Sequence, residues 1–563
     1  MTAQNKPLVL TLAFLLGNLP VELQAQVEPS SYDLLIRGGR VVDGTGNPWI
    51  YADVGIRDGR IATVGQLANA DANRVIDATG LVVAPGFIDL HTHSDSQLLA
   101  DGTAQSKVRQ GVTLDIAGES SSPAPRDGMP ASVGRGGVRT DWTTFTGYFE
   151  RVRSQGISMN LITHVSYHQV RRVIKGFDES PATRDELEQM KKLTARSMEE
   201  GAWGLVTRFG SGGPQHPNEV LELAKVVATY GGNYTSHHGS EGYEQEKEIN
   251  FAIRVAEEAQ MPVHLFHFKV RARGNWGTIN DFITQVEEAR NRGLDVTANQ
   301  YPYTAMFHGW SSFFPLWVRE GGPGQFAARL RDESLREQIK ADPDFIAWAE
   351  EHGWWEGIVL ARANQPDVRK YEGMTIKEIA SSLGVTDPAD VAIDLMAKEG
   401  GGISGIFHAM SEEDVRLAMQ QPWMAHASDG SAINLDAPGV PHPRNYGTVP
   451  RVLGHYVRDK GILTLEEAVR KMTSLPAQIL GLRDRGQLRE DFVADIVLFD
   501  PDGVAETNSF ENPKSYPVGI PYVIVNGTLV IDEGEHTGAR PGTVLLGRGY
   551  IPGTPVSDGV TLR

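Results

Sequence analysis

Between residues 84 and 484 the chain alternates short apolar runs with helix-like stretches, and most of the runs end on polar side chains able to do chemistry. Eight run ends can be read in order: His91 with His93, Glu119, His164, Thr207, His237, His267, Asn299 with Gln300, and Asp429. Strand–helix alternation signals βα units on a parallel sheet. Eight such units close a (β/α)8 TIM-type barrel, whose active site is built at the C-terminal ends of the strands. This predicts an α/β protein with its chemistry gathered from residues far apart in sequence.

The first run fixes the kind of chemistry. Leu81, Val82, Val83, Ala84, Phe87, Ile88 and Leu90 read as one buried strand that ends on His91-Thr92-His93. Side chains at i and i+2 of a strand share a face, so the two imidazoles should project together. Four imidazoles (His91, His93, His237, His267) and two carboxylates (Glu119, Asp429) at strand ends suit one or two borderline-soft divalent cations such as zinc. His164 is a further strand-end candidate. His264 and His426 each lie three residues before a candidate ligand and are expected to pack on the opposite face. His442, beside Arg444, is a candidate for lining the pocket.

A second pattern frames the barrel. Residues 32–83 and 485–547 hold short strands with tight turns, including Asp58-Gly59 and Asn526-Gly527, dipeptides typical of two-residue hairpins. Neither end can bury a good core alone. Together they predict one small β-sandwich domain built from both termini, with the barrel spanning 84–484. Thr183-x-x-Glu186 and Thr464-x-x-Glu467 mark helix starts. Residues 305–401 are too many for a simple connection and carry helical patterns such as Phe326 to Ile339. An inserted subdomain over the barrel mouth is expected there.

Composition narrows the partners. The 563 residues are 40% hydrophobic and 22% charged, as in soluble globular proteins, and the net charge of −18 argues against nucleic acid and anionic membranes. There is no cysteine, which excludes disulfides, thiolate ligands and a cysteine nucleophile. Lys6, the apolar run Leu8 to Leu16 and Ala25 read as a signal peptide over residues 1–25. No other segment reads as membrane-spanning. A periplasmic or secreted location is expected, and the oligomeric state stays open.

Several stretches carry a family resemblance. They are Ala84-Pro85-Gly86-Phe87-Ile88-Asp89-Leu90-His91-Thr92-His93-Ser94-Asp95, Val296-Thr297-Ala298-Asn299-Gln300-Tyr301-Pro302-Tyr303, Ser428-Asp429-Gly430 and His442-Pro443-Arg444-Asn445-Tyr446-Gly447-Thr448. Through them the chain resembles the amidohydrolase superfamily and, within it, the D-aminoacylase (N-acyl-D-amino-acid deacylase) family. The resemblance implies zinc-dependent hydrolysis of an N-acyl amino acid, with Asp429 as general base. By the same resemblance His91, His93 and Asp429 hold one metal and His237 and His267 a tighter one. Lys269 and Arg444 grip the substrate carboxylate, and Tyr301 and Tyr303 line the pocket. The alternative activity is that of an exported amidohydrolase acting on a dipeptide, a cyclic imide or a lactam. The family's metal-bridging cysteine is missing. Here the segment reads Gly118-Glu119-Ser120, which leaves Glu119 and Ser120 as contenders and favours Glu119 for its charge.

Overall fold

The computed structural model describes residues 31–119, 122–133, 137–208, 216–237, 241–242 and 244–553. Residues 1–25, read above as a signal peptide, lie outside the described residues, as do Ser120 and His238.

Eight parallel strands close a barrel. They are β1 (Phe87–Asp89), β2 (Val112–Ala117), β3 (Asn160–Thr163, resumed as Val165–Ser166), β4 (Gly204–Arg208), β5 (Asn233–His237), β6 (Val263–Leu265), β7 (Val296–Gln300) and β8 (Met424–His426). Each pairs with the next, β3 passing from β2 with its first half to β4 with its second. The seam between β8 and β1 is shut by a parallel bridge from Thr92 to Gly430. The Asp429 amide donates to His91 O (2.9 Å) and the His93 amide to Gly430 O (2.8 Å). Period-2 alternation sorts the wall. Ile88, Leu90, Leu114, Ile116 and Ile162 pack outward against Leu475, Ala477 and Leu480 of the helix Ser474–Leu480. Asp89, His91, Asp115 and Glu119 take the alternate positions.

The apolar run before His91 is not one strand. It divides at Pro85-Gly86: Val82–Pro85 pairs with Ile496–Phe499 and with Tyr32–Val41, whereas Phe87–Asp89 enters the barrel. A Cβ on Gly86 would lie 2.3 Å from the Thr113 side chain, so only glycine passes here. The chain's two ends combine in a nine-stranded sheet, wrapped round a core that includes Leu34, Ile36, Val54, Ile56, Ile496 and Ile524. Both expected hairpins form, with positive φ at Asp58 (51°) and Gly59 (73°) and at Asn526 (49°) and Gly527 (79°), as their turns require.

The insertion carries an antiparallel sheet ordered Met306–Gly309, Ser404–Phe407, Ile358–Arg362. Its central strand lies past residue 401, so the inserted unit runs beyond the expected end. The helical pattern from Phe326 to Ile339 is carried by two helices, Pro323–Arg331 and Glu333–Lys340. Asp332 ends the first and caps the second, its side chain accepting from the Ser334 amide. The Thr183 capping box forms with both reciprocal hydrogen bonds. At Thr464 only the hydroxyl half forms, because Glu467 turns to Arg470.

Candidate metal centre and active site

At the C-terminal mouth of the barrel, side chains from β1, β2, β5, β6 and β8 converge. One group joins His91, His93, Glu119 and Asp429, and another joins Glu119, His237 and His267. Within each group the donor atoms lie within 4.8 Å of one another. His91 Nε2 contacts Glu119 Oε2, and His93 Nε2 lies 3.3 Å from the same oxygen and 2.9 Å from Asp429 Oδ1. On the other side, His237 Nδ1 is 2.8 Å from Glu119 Oε1 and 2.7 Å from His267 Nε2. Glu119 is therefore common to both groups, one oxygen toward each. Burial alone would raise its carboxyl, but His91, His93 and His237 outweigh that and hold it well below the usual range. Burial and the Lys269 ammonium push His267 down to about 3, so the ring stays neutral and keeps a lone pair to give. Four imidazoles and two buried carboxylates with converging lone pairs fit one or two divalent cations.

The supporting residues explain how these ligands are held. Asn299, on β7, accepts from the His267 amide (2.9 Å) and donates toward His264 Nε2 (2.8 Å). His264 meets Thr297 through its other nitrogen, so both of its ring nitrogens are taken up by β7. Lys107, fully buried, donates to Asp89 Oδ2 and to Ser428 Oγ, each at 2.7 Å, while Asp89 Oδ1 accepts from the Ser428 amide (2.9 Å). This knot ties the end of β1 to the turn that presents Asp429. Removing one partner of such a pair would leave a buried charge uncompensated.

Glu241 is the functional candidate that sequence reasoning missed. It is 5% exposed, contacts Lys269 Nζ, and lies 2.7 Å from His267 Nδ1. Lys269 Nζ lies 2.8 Å from the same nitrogen, so Glu241 and Lys269 together fix the ring and turn Nε2 toward the cluster, as partners of metal-binding histidines do elsewhere. The available signal was an acid four residues after the strand-end His237. Glu241→Gln is expected to weaken zinc affinity ~10–100-fold. Competition with a chromophoric chelator measures this, and an unchanged melting temperature excludes global loss of structure.

The other candidates fall into place around a cavity of about 1100 Å³ over the cluster. Lys269, Tyr301, His442 and Arg444 all line it. The Lys269 ammonium and the Arg444 guanidinium lie 5.4 and 5.0 Å from the centre of the Tyr301 ring. Arg444 Nη1 is 2.8 Å from Asp429 Oδ2. Burial tends to raise the Asp429 carboxyl, yet Arg444 and His91 hold it well below the usual range. His442 accepts from the Arg444 amide through Nδ1 (3.0 Å) and meets Ala305 O through Nε2 (3.0 Å), so its polar atoms serve to place Arg444. Tyr303 departs from expectation. Past the end of β7 the strand alternation lapses, and its hydroxyl donates to Glu506 (2.9 Å) instead of entering the cavity. His164 turns to Asn233 Oδ1 (3.0 Å) and is also absent from the cavity wall.

A closed parallel barrel with a histidine–carboxylate cluster at its C-terminal mouth defines a metal-dependent hydrolase of the TIM-barrel class. The amidohydrolase family profile matches residues 74–531. A D-aminoacylase of Alcaligenes xylosoxydans xylosoxydans is 32% identical over 92% of this chain and 99% of its own length. The crystal structure of the N-acyl-D-glutamate deacylase of Bordetella bronchiseptica, complexed with zinc and a phosphonate mimic of the tetrahedral intermediate, is 28% identical. It superimposes with a TM-score of 0.78 over 92% of this chain and 100% of that one. A D-aminoacylase structure with a binuclear metal centre, described as activated by one metal and attenuated by the second, is 31% identical, with a TM-score of 0.77 over the same shares. The chain belongs to the amidohydrolase family, in the D-aminoacylase group. It is accordingly an enzyme acting on C–N bonds other than ordinary peptide bonds.

Proposed function

We propose that the protein hydrolyses the amide bond of N-acyl-D-amino acids, with zinc at the mouth of the barrel. The observation that carries this is adjacency: Lys269, Tyr301 and Arg444, a set suited to a carboxylate, stand beside Asp429 and the histidine cluster. His91, His93, Glu119 and Asp429 would hold one ion, and Glu119, His237 and His267 another. When bound, the metal polarises the amide carbonyl and acidifies the attacking water. Asp429 takes the water's proton at Oδ1 and returns it to the leaving amine, so no covalent acyl-enzyme is needed. Arg444 and Lys269 anchor the substrate's α-carboxylate, which orients the scissile bond over the cluster. The apolar segment Leu8 to Leu16 supports a periplasmic or secreted location. Among the described residues no helix is long and apolar enough to cross a membrane.

The test is a release assay over paired N-acyl-D- and N-acyl-L-amino acids, run with measured metal content. Exclusive turnover of the L series, or of dipeptides, cyclic imides or lactams alone, would overturn the reading. A finer check is Arg444→Ala. Loss of a charge-assisted contact of roughly 1.5–3 kcal/mol should raise KM for the free acid ~10–100-fold. The methyl ester, which lacks the charge, should respond much less. An equal response of acid and ester would remove Arg444 from the carboxylate site.

A further inference from the structure

The cavity is larger than the chemistry at its floor requires, and its roof carries charge. Two arginines of the insertion line it: Arg319, at the end of the helix Leu316–Arg319, and Arg362, at the end of the strand Ile358–Arg362. Other cations on the same wall have partners. Lys269 meets Glu241, Arg444 lies 2.8 Å from Asp429, and Arg271 lies 2.9 Å from Glu351. Among the described residues, neither Arg319 nor Arg362 makes a side-chain hydrogen bond or an ion pair. The Arg319 Nε atom is buried with no partner at all. Burial disfavours its charge, and Glu179 and Asp344 act on it only from a distance.

Two such guanidiniums are unusual in a chain that carries a net charge of −18. Acids are plentiful, yet among the described residues none forms an ion pair with either. A half-buried guanidinium without a protein partner is left to water or to a ligand that enters the cavity. The sheet register supports an inward aim for Arg362. It pairs across the insertion with Ser404, which pairs with Gly309, and all three positions face the cavity. From the barrel rim, Arg208 at the end of β4, in register with His237, adds a third cation to the cavity wall.

We propose that Arg319 and Arg362 form a distal anion subsite, which binds a second carboxylate of the substrate, remote from the scissile amide. This rests on the proposed function, in which Lys269 and Arg444 are already engaged by the α-carboxylate. The second carboxylate comes either from the side chain of the released amino acid or from the far end of the acyl group. Both present the same chemistry to a guanidinium.

The test compares dianionic substrates with neutral isosteres on the zinc-loaded enzyme. N-acetyl-D-glutamate against N-acetyl-D-glutamine probes the side-chain source. N-succinyl-D-leucine against its succinamide analogue probes the acyl source. At least one dianion should exceed its neutral partner in kcat/KM by ~10-fold or more, the scale of a charge-assisted contact. In Arg319→Gln, Arg362→Gln and the double variant that ratio should fall stepwise toward one, with zinc content and melting temperature as in the parent. Both residues are only half-buried and lie outside the metal cluster, so glutamine leaves the core and the ligands in place. Absence of a dianion preference in the parent, or its persistence in the double variant, overturns the subsite alone. Turnover of no N-acyl amino acid overturns the proposed function and the subsite with it.

Discussion

Glu119→Gln is expected to remove bound metal and activity together. The residue stands between the two halves of the cluster, Oε2 toward His91 and His93 and Oε1 toward His237. Glutamine keeps the length and one carbonyl oxygen, but its amide nitrogen donates where a lone pair is needed and it brings no negative charge. The remaining imidazole ligands bring no negative charge, and Asp429 is tied to Arg444, so the cation charge is left poorly balanced. Metal affinity should drop by more than the ~10–100-fold typical of losing a mere supporting partner. Metal analysis after gel filtration, beside a hydrolysis assay, reads both effects. The competing assignment is Ser120, the next residue in the chain, which offers only a neutral hydroxyl. Full occupancy and turnover in Glu119→Gln, with loss in Ser120→Ala, would transfer the bridge to the serine.

The barrel was legible because its strands are short apolar runs whose last residues carry chemistry, and period 2 then orders the faces. The same rule brought His91 and His93 together correctly. It failed at Tyr303, since the alternation that links it to Tyr301 holds only while the strand continues, and β7 stops at Gln300. It also could not see the division at Pro85-Gly86. Val82 to Ile88 is apolar on both faces, and the boundary is set by partners: the Gly86 amide donates to Asp495 O (2.8 Å), a residue from the far end of the chain. Buried charge pairs were invisible for the same reason. Nothing local to Lys107 announces Asp89 and Ser428, nor does Lys269 announce Glu241 as its counter-charge. Propensity reports what a segment can form, whereas these pairings report where the fold has carried two segments.

Asp429→Asn is expected to lower kcat by ~10²-fold or more, the scale of losing a general acid–base, while leaving the Glu119–His237–His267 group loaded with metal. The substitution is a clean one. Asp429 sits at φ 49°, a left-handed conformation that asparagine also tolerates, so the turn held by Asp89 and Ser428 should persist. The amide retains an oxygen for the position near His93 Nε2 but cannot carry a proton from water to the leaving amine. A second consequence separates this role from a structural one. Asp429 is the ion-pair partner of Arg444, at 2.8 Å. Neutralising it leaves that guanidinium to the substrate, so KM for the free acid should hold steady or fall while kcat collapses. A structural defect would instead raise KM and lower the melting temperature. Near-normal turnover in Asp429→Asn would sink its assignment as the base. A KM raised along with loss of metal from the His237 and His267 side would make it a scaffold residue.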